Sequence, residues 1–133
     1  MKRILLFIAF IATAGVASAQ SATTASAPPA MSAAEEARIN FASKASQLDA
    51  ALQRNVPQAA TEIMGRIMND MQTNIGSASR QLNSISDPVA KAELSKRIAG
   101  QSDIYSAVKT MSVNMAANRE AISAKLREFV KLM

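Results

Sequence analysis

The chain has no histidine, no cysteine and no tryptophan among its 133 residues. Without histidine there is no Ser-His-Asp triad and no Glu-x-x-His pair for a di-iron bundle. Without cysteine there is no thiol nucleophile, no disulfide, and no thiolate ligand for zinc or an iron–sulfur cluster. A fold must therefore rest on packing alone, even in an oxidising compartment. Glycine and proline number only four each, and none of the glycines belongs to a phosphate-cradling motif. Aromatic residues make up 4% of the chain, so a core has to be built from aliphatic side chains. No segment alternates apolar and polar residues with period two, which argues against a sheet. Carboxylate chemistry survives these exclusions.

Hydrophobic residues are 49% and charged residues 19%, which fits neither a charge-rich disordered tail nor a membrane protein throughout. The most directional signal is at the start. Lys2 and Arg3 precede the apolar run from Ile4 to Ala12, and Ala17-Ser18-Ala19 stands just before Gln20. Basic, apolar, then A-x-A is the order of a secretory signal peptide. The run is shorter than the roughly 20 apolar residues of a stable span. Residues 1–19 are thus expected to be a signal peptide cleaved near Ala19–Gln20, and the product to be exported, periplasmic or secreted. No cysteine follows the run to carry a lipid anchor, and no later stretch is apolar enough for an integral span. Removing Lys2 and Arg3 from the 15 Lys and Arg leaves 13 against 10 Asp and Glu, a net +3. A balance that mild does not indicate a nucleic-acid partner.

Residues 20–31 are Ser-, Thr- and Ala-rich, include Pro28-Pro29, and hold no large apolar side chain before Met31. They read as a flexible leader. The folded domain is expected over 32–133, where Ala, Met, Leu, Gln, Arg, Lys and Glu, all good helix formers, dominate. A first helix is predicted over 32–54. Ser32 and Glu35 have capping-box spacing, and Ala34, Ala37, Phe41, Ala45, Leu48 and Leu52 share one face, with Ile39 off to the side. Asn55-Val56-Pro57 ends it. A second helix is predicted over 57–84, with a near-heptad stripe of Ala60, Met64, Ile67, Met71, Ile75, Ala78, Leu82 and Ile85 that slips once near Met71. Asp87 is a good N-cap and Pro88 suits a first helical position.

The segment from Pro88 to about residue 132 carries Leu94, Ile98, Tyr105, Val108, Met115, Ile122, Leu126 and Phe129. Gln101, Ser112 and Arg119 interrupt that seam as polar intruders that could fix register. The predicted fold is all-α: an elongated antiparallel three-helix bundle with this last segment as one long helix. The alternative is a four-helix bundle with the segment split at Gly100, and 114–118 forms a second weak spot. The three-helix form is preferred because the apolar rhythm crosses Gly100 in phase, and an internal glycine costs only about 1 kcal/mol. Self-association into a homodimer would add burial to a thin, Ala-rich core.

Four groups of residues are candidate sites. Met64, Met68 and Met71, with Met111 and Met115 on the later segment, could offer thioethers to copper(I). At seam positions interleaved with Ile67 and Ile75, flexible core filling is the stronger reading. The carboxylates are scattered, and Glu62 has Arg66 four residues on as a natural surface pair, so caps and solvated faces account for them. Near the C-terminus, Lys109, Arg119, Lys125, Arg127 and Lys131 accompany Ile122, Leu126, Phe129 and Val130. A basic amphipathic helix of this kind could dock on a partner or lie on an anionic envelope surface, with Lys125, Leu126, Phe129 and Val130 as the contact set. It also suits a bundle helix with cations at its C-terminal end. Gly65 and Gly76 share a face but lie among polar neighbours, which suits chance placement better than close helix approach.

The expected function is therefore non-enzymatic: an exported helical protein acting through contact with another protein, as assembly element, scaffold or chaperone-like holder, with no cofactor. Copper(I) handling and envelope-surface attachment are the alternatives. An enzyme is the least favoured class.

Overall fold

The computed structural model describes residues 29–133. The expected signal peptide, its cleavage point and all but the end of the expected leader lie outside the described residues. Ala33–Met133 forms one compact unit. It is built from four α-helices: α1 (Ala33–Gln53), α2 (Pro57–Ser84), α3 (Pro88–Met111) and α4 (Arg119–Leu132), with one 3-10 turn, Ser112–Asn114, after α3. No strand occurs among the described residues.

The turns follow from local chemistry. Asn55 ends α1 with φ 54°, in the left-handed region that asparagine tolerates better than most residues. The Val56 amide donates to the Ala51 carbonyl at 2.9 Å and the Asn55 amide to the Leu52 carbonyl at 3.2 Å, the paired bonds of a Schellman ending. Pro57 then opens α2, where its missing N–H is no loss. At the next turn the Asp87 carboxylate accepts from the Ala90 amide at 2.8 Å, and Pro88 occupies the first turn of α3.

The long helix predicted from Pro88 onward is divided, and the division is not at Gly100. Gly100 lies inside α3, where a Cβ built on it would meet the Leu132 Cδ1 at 3.1 Å, so it admits close approach of the end of α4. The chain breaks instead over 112–118. The Asn118 side-chain amide donates to the carbonyls of Met111 at 3.2 Å and Asn114 at 3.0 Å, and the Asn114 side-chain oxygen accepts from the Ala117 amide at 3.3 Å. Side chains that bond the nearby backbone offer it an alternative to the helical ladder, and two asparagines four apart do so here.

α1 packs on α2 and α4, α2 on α3, and α3 on α4. Lys44 of α1 pairs with Asp70 of α2, Gln72 of α2 donates to the Tyr105 hydroxyl of α3 at 2.7 Å, and Phe41 stacks on Phe129 of α4 at 5.2 Å between ring centroids. These contacts make sequential neighbours antiparallel and return α4 along α1. The core is Phe41, Leu48, Ala51, Ala60, Met64, Ile67, Met71, Ile104, Val108, Ile122, Leu126 and Phe129. It has fine structure that the periodicity missed. In α3 the buried positions are Leu94, Gln101, Ile104 and Val108, so Ile104 is fully inside while Tyr105 packs against the core only partly buried. In α1, Ala34, Ala37 and Ile39 stay exposed.

One layer is polar. Gln101 is 1% exposed, and its amide nitrogen donates to the Asn74 side-chain oxygen and to the Leu132 carbonyl, both at 2.8 Å. The intruder on the predicted seam thus ties α2, α3 and the carboxyl end of α4 at one level. Beyond that level α2 and α3 continue as a two-helix hairpin, with Ala78 and Leu94 buried between them and Val89 exposed at its tip.

Candidate functional site

A groove of about 490 Å³ lies between α1 and α4. Its α1 wall is made of small side chains, Ala42, Ala45 and Ser46, and ends at Asp49. Its α4 wall is Ser123, Leu126, Arg127, Val130 and Lys131. The local reason for the groove is the small-residue run on α1. Phe41 and Leu48 turn inward to the core, and the next positions round the helix carry nothing larger than serine until Asp49. Leu126 is 1% exposed and supplies the apolar floor, with half-buried Val130 beside it.

Charge is unevenly distributed along the groove. At one end Asp49 accepts from Gln53 at 2.8 Å and faces the Arg119 guanidinium at 3.8 Å, so its carboxylate is matched. At the other end Arg127 and Lys131, one helical turn apart and both exposed, form no ion pair among the described residues. Arg127 donates to the Ser123 hydroxyl at 3.2 Å, which leaves its charge uncompensated. The remaining cation of this helix, Lys125, is bonded to Glu128 at 2.7 Å.

The residues expected to form a C-terminal contact set are therefore divided among three roles. Phe129 is 0% exposed and Leu126 1% exposed, both in the core. Lys125 is held by Glu128, and Val130 faces the groove. The apolar face of α4, which a surface-seeking helix would present to lipid, is covered by α1 and the rest of the bundle.

The methionines go mostly inward. Met64 is 5% and Met71 0% exposed, with Ile67 at 0% between them, and Met68, Met111 and Met115 are partly buried against the same core. Asp70 pairs with Lys44 and Glu128 with Lys125, Asp49 and Glu120 share Arg119, and no three Asp or Glu side chains gather as a metal site among the described residues. Glu62 and Arg66 are both exposed and do not pair, as expected for a contact worth little in water. Neither Gly65 nor Gly76 has an atom within 4 Å of where a Cβ would stand, so neither serves a close helix approach.

Periodicity marks Gln101 as an intruder, but it missed the groove and the partners that Gln101 finds in Asn74 and the Leu132 carbonyl. Ala45 reads as one more seam residue, and nothing in the spacing says that Ala42 and Ser46 flank α4. Asn74 was visible in principle, since it stands three residues after Met71 where an unslipped heptad expects an apolar side chain. Among the described residues, no helix is long and apolar enough to cross a membrane. Comparison with protein families, characterised proteins and solved structures gives no match to this chain.

Proposed function

We propose that this chain is an exported, non-enzymatic protein that folds as an antiparallel four-helix bundle and works by contact with another protein, in assembly, scaffolding or holding. The observation that carries this reading is the groove between α1 and α4, with small residues on one wall, an aliphatic floor and a charged rim. Its small-residue wall suits the side-chain ridge of another helix, because Ala and Ser on a helix surface let a neighbour approach closely. The basic start, apolar run and A-x-A pattern of residues 1–19 support export. The buried positions of Met64 and Met71 support packing over copper(I) binding, and the buried apolar face of α4 supports protein contact over lipid attachment.

Site-specific photo-crosslinking in the source cells tests the reading. A photoreactive residue replacing exposed Ala42 in the full chain is expected to give discrete, higher-mass adducts. The same residue at exposed Glu62, on α2, is expected not to give them. Identical adduct patterns from the two positions, or none from Ala42, would contradict the reading.

A further inference from the structure

The contact reading leaves the partner's chemistry open, and the groove itself constrains it. Resting on that reading, we infer that the groove takes an amphipathic helix with carboxylates four residues apart along one edge and small-to-medium apolar side chains facing inward. Arg127 and Lys131 stand at i, i+4 on the α4 rim, about 6 Å apart along the axis, without acidic partners among the described residues. Two carboxylates at i, i+4 on a helix lying in the groove have the same spacing. The opposite rim offers no competing cation, because Ala42 and Ser46 are neutral. Asp49 is already matched by Arg119, so the groove carries net positive charge towards the carboxyl end of α4. Leu126, 1% exposed, and half-buried Val130 lie between α1 and α4, so the apolar lining is a narrow strip, which suits one ridge of a helix rather than the plane of a bilayer.

The probe is a roughly 18-residue Ala/Leu-based helical peptide with Glu at every fourth position beside its apolar face, long enough to hold its helix. Its control carries Lys in place of Glu. Binding to the full chain is read by fluorescence anisotropy. The Glu peptide is expected to bind, more weakly as salt rises, and the Lys peptide to bind at least about tenfold less well. In the double variant Arg127→Glu with Lys131→Glu this preference is expected to invert. Both residues are exposed, so helicity should be unchanged by circular dichroism, and Arg127→Gln with Lys131→Gln serves as a milder second variant.

Equal binding of the two peptides, or a charge-reversed variant that keeps its preference for the Glu peptide, would overturn the inference. So would binding only to vesicles containing phosphatidylglycerol. A dimer of the chain alone that the charge reversal dissociates would also overturn it, since a second copy would then fill the groove. Adducts that persist at Ala42 while the peptides show no charge preference remove only the acidic helix. Loss of the Ala42 adducts removes the contact reading beneath it.

Discussion

Single residues in this protein divide by what surrounds them more than by what they are. Three glycines illustrate this. Gly65 and Gly76 sit within α2 with open space where a Cβ would stand, whereas Gly100 faces Leu132 at 3.1 Å. Alanine at Gly65 or at Gly76 is expected to stabilise the fold by about 0.5–1 kcal/mol, the ordinary helix-interior gain. Gly100→Ala is expected to gain less, because the Leu132 side chain must shift. Urea unfolding of the three variants checks the order. The C-terminal residues divide in the same way. Phe129 is buried against Phe41, so Phe129→Ala is expected to cost about 3–5 kcal/mol. Lys125→Ala, on an exposed ion pair, is expected to cost less than about 1 kcal/mol. The sequence places these residues on one amphipathic helix, and correctly so. It does not reveal that the apolar half is already occupied, because occupancy depends on α1 returning to that face.

At the scale of elements, boundaries were legible wherever a residue with special backbone chemistry marks them. Pro57, Asp87 and Pro88 bound α2 and α3 where expected, and α2 runs over 57–84 as predicted. Asn55 in the left-handed region makes a direct test. Asn55→Gly is expected to hold or slightly raise stability, and Asn55→Val to lower it by about 1–2 kcal/mol, read by thermal unfolding. The end of α3 was only half legible. Ser112, Asn114 and Asn118 were visible as polar and weak, but the rhythm of apolar residues runs on across them. What decides is a set of side-chain bonds from Asn114 and Asn118 to the backbone, and periodicity does not register those. Gln101 belongs to this scale as well, since it joins three helices. Gln101→Ala would leave the Asn74 side chain and the Leu132 carbonyl without their donor, with an expected cost of about 1–3 kcal/mol. A double-mutant cycle with Asn74→Ala should show coupling between the two positions, and strict additivity would contradict the shared layer.

For the molecule as a whole, the decisive feature is that α4 turns back. A continuous helix from Pro88 would carry Lys131 far from α1, and neither the groove nor its unpaired rim would exist. Composition and spacing made the helical class legible, since they describe each helix separately. The arrangement of helices, and the groove that follows from it, depended on the loop over 112–118 and on which small residues of α1 meet α4. The absence of native cysteine makes this fold-back open to direct measurement. Spin labels on single cysteines at exposed Ala99 and Lys131 report it by pulsed dipolar spectroscopy. With α4 folded against α3, where Gln101 bonds the Leu132 carbonyl at 2.8 Å, the labels are expected to be neighbours, giving a short and narrow distance distribution. One unbroken helix would instead separate the two positions by about 48 Å at ~1.5 Å per residue, and a distribution centred there would contradict the bundle and the groove together.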